Sequence, residues 1–217
     1  MKKLVLATVI ATSFGMSNAF AGTSNRLSGV YAGVDAGYAN VKGDAQGTAN
    51  ALVNAFGGSV TVTEATSAAV GRVFAGYNID KHFAVELGYA KTTNFTTTAA
   101  GVAGNRRAYT GTSDVSVGGL DYSLLIKPFD TSGWDGLFAK VGGHSLDSSA
   151  DVSFSSNLGA ASTHISASGS GFLVGVGYQE PLSSNVDYRV GYTYYNGVSG
   201  VSDNNAHVLT AGVLVKF

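Results

Sequence analysis

An alternation of apolar and polar residues with period two recurs eight times between Gly29 and Phe217. Successive side chains on a strand point to opposite faces, so each run makes one apolar and one polar face. The last run, from Val208 to Phe217, alternates up to an aromatic residue. Such a strand needs a hydrogen-bonding partner on both edges and an apolar medium for its outward face. A closed barrel in a bilayer supplies both.

The eight segments are expected at Gly29–Ala39, Ala68–Ile79, His82–Thr93, Asp114–Lys127, Gly136–Leu146, Gly169–Gln179, Val186–Tyr195 and Ala206–Phe217. Their lengths match transmembrane β-strands, which need about 9–11 residues. Short links follow the second, fourth and sixth segments, at Asp80-Lys81, Pro128–Asp135 and Pro181–Ser184. Long gaps follow the others, at Asn40–Thr66, Asn94–Thr112, Asp147–Ala167 and Asn196–Asn205. Short turns on one side and long loops on the other are the asymmetry of bacterial outer-membrane barrels. The reading is an all-β, eight-stranded, antiparallel, up-and-down transmembrane barrel, with the eighth segment paired to the first. In the fourth segment Val115 and Val117 fall on the wrong parity for an outward apolar face. A bulge at Gly118-Gly119 is expected to restore the phase.

Charge decides which face meets what. Charged residues are 12% of the chain against 45% hydrophobic, where the exterior of a soluble barrel wants about 25–35%. The apolar faces are therefore expected outside, in lipid. Tyr38, Tyr77, Tyr89, Tyr178, Tyr188 and Tyr194 lie toward strand ends as headgroup-level aromatics. The many glycines on the polar faces leave room in a narrow lumen. At the N-terminus Lys2-Lys3, the run Leu4–Ala11 and Ala19-Phe20-Ala21 read as a cleaved secretory leader over residues 1–21. Residues 22–217 are then the barrel domain. With no cysteines and a formal net charge of -1, thiolate metal sites and nucleic-acid binding have no support.

Several motifs resemble the OmpA-type family of small outer-membrane β-barrels. They are Val30–Tyr38, Ala75-Gly76-Tyr77, Val85–Tyr89, Lys140–Gly143, Tyr188–Tyr192 and the closing run. The resemblance covers about residues 29–217. It implies the same eight-stranded fold, outer-membrane lipids and lipopolysaccharide as surroundings, and a lumen that is either plugged or narrowly conducting. It also implies that Lys216-Phe217 is the signature recognised by the outer-membrane assembly machinery. Many family members carry a periplasmic peptidoglycan-binding domain after the barrel. The run ending at Phe217 leaves the expectation of a stand-alone barrel of the OmpX type.

Seven charged residues are expected to face inward: Asp35, Arg72, Glu86, Asp121, Lys140, Asp187 and Arg189. Buried charges must be paired, because desolvation costs several kcal/mol per ion. Glu86 with Arg72 or Lys140, and Asp187 with Arg189 or a neighbour, are the natural pairs. The set either plugs the lumen or exchanges partners to pass ions. No catalytic site is expected: His144 and Ser145 are adjacent on a strand and point apart, and His82, His164 and His207 are scattered. No metal or cofactor site is expected on the same grounds. Arg106-Arg107 suits lipopolysaccharide phosphates. Ala51–Phe56 and Val60–Thr63 in the first long gap suit a strand extension or adhesive edge for a host or surface ligand.

Overall fold

The computed structural model describes residues 29–129, 134–157, 159–198 and 204–217. The expected leader, residues 1–21, and part of the Pro128–Asp135 link lie outside them. The described residues form ten strands and one helix. In chain order these are β1 (Val30–Val41), α1 (Ala45–Phe56), β2 (Ser59–Glu64), β3 (Ser67–Asn78), β4 (Phe83–Thr92) and β5 (Phe95–Val102). They continue with β6 (Ala108–Ile126), β7 (Leu137–Ser156), β8 (Gly159–Pro181), β9 (Val186–Tyr195) and β10 (Ala206–Lys216).

Eight of these strands close a barrel in the order β1-β3-β4-β6-β7-β8-β9-β10, every contact antiparallel. Closure comes from β10 lying along β1, from Tyr31 opposite Lys216 to Val41 opposite Ala206. Phe217 lies one residue past β10, and its N–H donates to the Val30 carbonyl at 3.0 Å. All eight expected segments lie on these strands.

The long gaps differ from the reading above. Much of the first three is ordered sheet. β2 pairs with β5, β5 with the upper half of β6, and β6, β7 and β8 run unbroken to the same height. Five strands therefore rise beyond the barrel, while β1, β9 and β10 stop lower. Val60–Thr63 does form a strand extension. Ala51–Phe56 does not; it closes α1. Asp44 caps that helix, its side chain accepting from Gly47 N–H at 2.9 Å. Gly57 and Gly58 end it with φ of 65° and 78°. Phe56 turns its ring onto Tyr109 and Phe154, at centroid distances of 5.5 and 5.7 Å.

The bulge expected at Gly118-Gly119 is absent: β6 keeps one register against β7 from Tyr109 to Ile126. The extra residue sits opposite, where Thr92, Thr93 and Asn94 face only Ser116 and Val117. The Thr92 hydroxyl fills the break, accepting from Val117 N–H at 3.0 Å. Val115 and Val117 share the inward parity of Asp121 and pack in the interior. Beyond the bilayer the dry side of the wall is the lumen and the wet side is outside. The apolar face therefore changes sides without any change of strand phase.

Candidate functional site: the lumen and the projecting sheet

The lumen is layered. At the periplasmic end Tyr31, Phe74, Ala84, Leu125, Phe138 and Leu214 form one buried apolar cluster. At the extracellular end a second cluster includes Ala39, Val70, Phe95, Leu146, Tyr195 and Val208. A layer of charge lies between them. Beside the expected charges stand two unexpected apolar layers, on inward positions of the same parity.

Arg72 is the hub of the charged layer. Its Nε and Nη2 donate to Asp121 at 2.8 and 2.6 Å. Nη1 reaches Asp35 at 3.3 Å, and both Nη atoms reach Glu86 at 3.3 Å. Arg189 donates to Glu86 at 2.5 Å and to Asp35 at 2.7 Å. Lys140 stands 3.6 Å from Asp121. The Tyr31 hydroxyl donates to Glu86 at 3.1 Å. Three acids and three bases are thus balanced in one buried group, each residue at most 8% exposed. Forked donation from arginine to carboxylate supplies strength and direction together. The guanidinium groups also lie over Phe74, Arg189 at 4.0 Å and Arg72 at 4.9 Å from its ring centroid. Phe74 thus couples the charged layer to the apolar layer below it.

Asp187 does not pair with Arg189 but stands apart. Gln179 donates to it at 2.8 Å and Lys216 lies 2.6 Å away. Glu86 takes Arg72 and Arg189 as its bases, and Lys140 goes to Asp121. A spacing of two along a strand puts Asp187 on the same face as Arg189, but the carboxylates of β1 and β4 reach that guanidinium first. Lys216 is an inward base that the reading above did not include, although it shares its parity on β10 with Gly212 and Leu214.

Glycine clears the space for Arg72. A Cβ at Gly88 would lie 2.6–2.7 Å from the Arg72 Nε, Nη2 and Cζ atoms. A Gly88→Val barrel is expected to lose about 1–3 kcal/mol through overpacking, read as a lower urea midpoint with an unchanged m-value.

The histidines do not meet. His144 is buried, its Nε2 2.8 Å from the Asn196 carbonyl and its ring 5.5 Å from that of Tyr195. Ser145 faces the other way and is exposed. His164 pairs with Asp151 at 2.7 Å and His207 with Tyr192 at 2.5 Å. Among the described residues no three His, Cys, Asp or Glu side chains converge as metal ligands. Arg106 and Arg107 sit in the exposed turn at the tip of the β5–β6 hairpin.

The outer wall carries a wide apolar belt. Val34, Val73, Leu87, Leu120, Val141, Val174, Val176 and Leu209 are each 38–64% exposed, with Tyr38, Tyr77 and Tyr89 also exposed toward its rims. An uncharged belt around a closed barrel is made for lipid.

Residues 7–217 match the family described as the outer membrane protein beta-barrel domain. The chain belongs to this family. It is a bacterial outer-membrane barrel, and its belt is the lipid-facing surface of one. Among solved structures it is similar to Neisserial surface protein A at 22% identity, covering 88% of this chain and 98% of that one, with a TM-score of 0.42. It is also similar to Ail of Yersinia pestis, at 14% identity, 87% and 99% coverage and a TM-score of 0.45. A third is CarO of Acinetobacter baumannii, at 13% identity, 89% and 100% coverage and a TM-score of 0.44. No curated protein sequence matches this outer-membrane barrel.

Proposed function

We propose that this outer-membrane barrel is a plugged anchor whose working surface is the projecting five-stranded sheet, a structural and surface-interacting protein rather than an enzyme. The stacking of a neutral charged layer between two apolar layers carries the reading. An ion crossing it must displace paired groups and then pass apolar residues at either end. The sheet above, by contrast, is ordered well beyond what an anchor requires. Residues 1–21 act as the export leader, and lipopolysaccharide surrounds the upper wall.

Wild-type barrel in planar bilayers is expected to show no steady unit conductance, and Arg189→Ala to raise it. A wild-type conductance that Arg189→Ala leaves unchanged sinks the plug. Binding of whole cells to host surfaces, compared with and without residues 44–64 and 96–113, tests the sheet. A second reading, a narrow channel, is favoured by one observation. A cavity of about 70 Å³ lies directly against Asp35, Arg72, Lys140 and Arg189, enough for more than one water molecule.

Phe217 we assign to assembly. Its backbone closes the sheet onto Val30 while its ring is 41% exposed on the outer wall. Phe217→Asp is expected to lower outer-membrane yield in cells several-fold while the purified protein refolds in detergent. Normal yield counts against this role.

A further inference from the structure

The projecting sheet ends at β8. β8 pairs with β7 along its whole length, but with β9 only from Leu173 downward. Residues Ala160 to Gly169 therefore present one edge with no strand partner among the described residues. At about 3.3 Å per residue this edge is roughly 33 Å long. Edges of this kind are normally blunted by lysine, proline, a bulge or a cover. This one carries no lysine, arginine, acid or proline from Ala160 to Gly169. Its register with β7 is continuous from Tyr178 to Gly159, with no bulge, and Ala160 to Ser168 are exposed.

We infer that this β8 edge pairs with the β8 edge of a second copy held in a facing membrane. For a second copy, symmetry fixes the orientation. A parallel pair joins the left edge of one strand to the right edge of the next. One edge can meet its own copy only antiparallel, about a two-fold axis normal to the sheet. That axis is radial to the barrel, so the operation inverts the barrel axis. Two β8 edges in one bilayer point the same way and cannot meet each other in this manner; two β8 edges in opposed bilayers can. The stretch is also compatible with itself in charge. Centred on His164, Ser162 meets Ser166 and Thr163 meets Ile165. Centred on Ile165, Thr163 meets Ala167 and Ala161 meets Gly169. Neither register sets lysine, arginine or acid side chains of this stretch together, and the one centred on Ile165 also places His164 opposite Ser166 rather than opposite its own copy. The inference rests on the surface-interaction reading above and names its partner.

The test uses the full mature chain refolded in phosphatidylcholine vesicles, with barrel formation checked by heat-modifiable gel migration. Vesicles carrying wild type are expected to cluster, seen by light scattering. The double variant Thr163→Lys/Ile165→Lys sets lysines opposite each other in both registers and is expected to reduce clustering about tenfold. The chain has no cysteine, so Ile165→Cys gives a clean cross-link. Two vesicle populations bearing differently tagged copies are expected to form mixed disulfide dimers on mild oxidation. Differently tagged copies sharing the same vesicles, diluted so that vesicles do not meet, are not. Wild-type vesicles that stay dispersed, clustering that survives the lysine pair, or equal cross-linking within one membrane overturns the pairing. If cell binding still falls on deleting residues 44–64 and 96–113 while vesicles stay dispersed, the surface-interaction reading stands and the self-pairing alone is lost.

Discussion

Arg72→Ala is expected to destabilise the barrel by about 3–5 kcal/mol, the cost of breaking a buried ion group by removing one partner. Arg72 holds Asp121 through two hydrogen bonds and also contacts Asp35 and Glu86. Without it, three carboxylates share Arg189 and Lys140. Lys140 is already 3.6 Å from Asp121 and cannot replace a forked donor. Urea unfolding of protein in lipid vesicles reads the loss, with the m-value reporting whether the unfolded state has changed. The double variant Arg72→Ala/Asp121→Asn separates pairing from packing. It is expected to recover part of the loss, because the best-bonded orphan charge is then neutral. Equal loss in single and double variants argues that Arg72 acts through its guanidinium on Phe74 rather than through its pairing with Asp121.

Leu87→Arg tests the other face of the same wall. Leu87 points outward midway along β4, 56% exposed, opposite Ala75 on β3 and Tyr122 on β6. In lipid a charge near the midplane of such a wall costs about 2–4 kcal/mol. On a water-facing wall an exposed leucine would tolerate arginine to within about 0.5 kcal/mol. Vesicle-folded Leu87→Arg is therefore expected to unfold at clearly lower urea. A neutral result would place water at this belt. The same substitution at Thr61, exposed on β2 of the projecting sheet, is expected to be nearly silent.

The eight barrel strands and the identity of the inward charges were legible in the sequence because both depend on a period of two. Asp35, Arg72, Glu86, Asp121, Lys140, Asp187 and Arg189 fall on the polar parity of their own strands, and all lie buried in the barrel. Their partners were less legible. Asp187 pairs with Lys216, and Arg189 with Asp35 and Glu86. The Arg189 pairs join strands far apart in sequence, and which ones meet depends on stagger around the barrel. Val115 and Val117 mark a second limit. Their parity was read as an error needing a bulge, when it recorded the strand leaving lipid for water. Ala51–Phe56 marks a third. Its apolar run suits a strand or a helix, and Asp44 and Gly57 decide for the helix.

The sequence alone determined that this chain closes a barrel in lipid, because alternating faces with so few charges can be satisfied no other way. Only the tertiary structure decided what the barrel contains and what stands above it. Closure brings six charges from six different strands to one level, with apolar layers above and below. Register, which no single strand encodes, carries five strands past the membrane and leaves β8 an edge with no strand partner among the described residues.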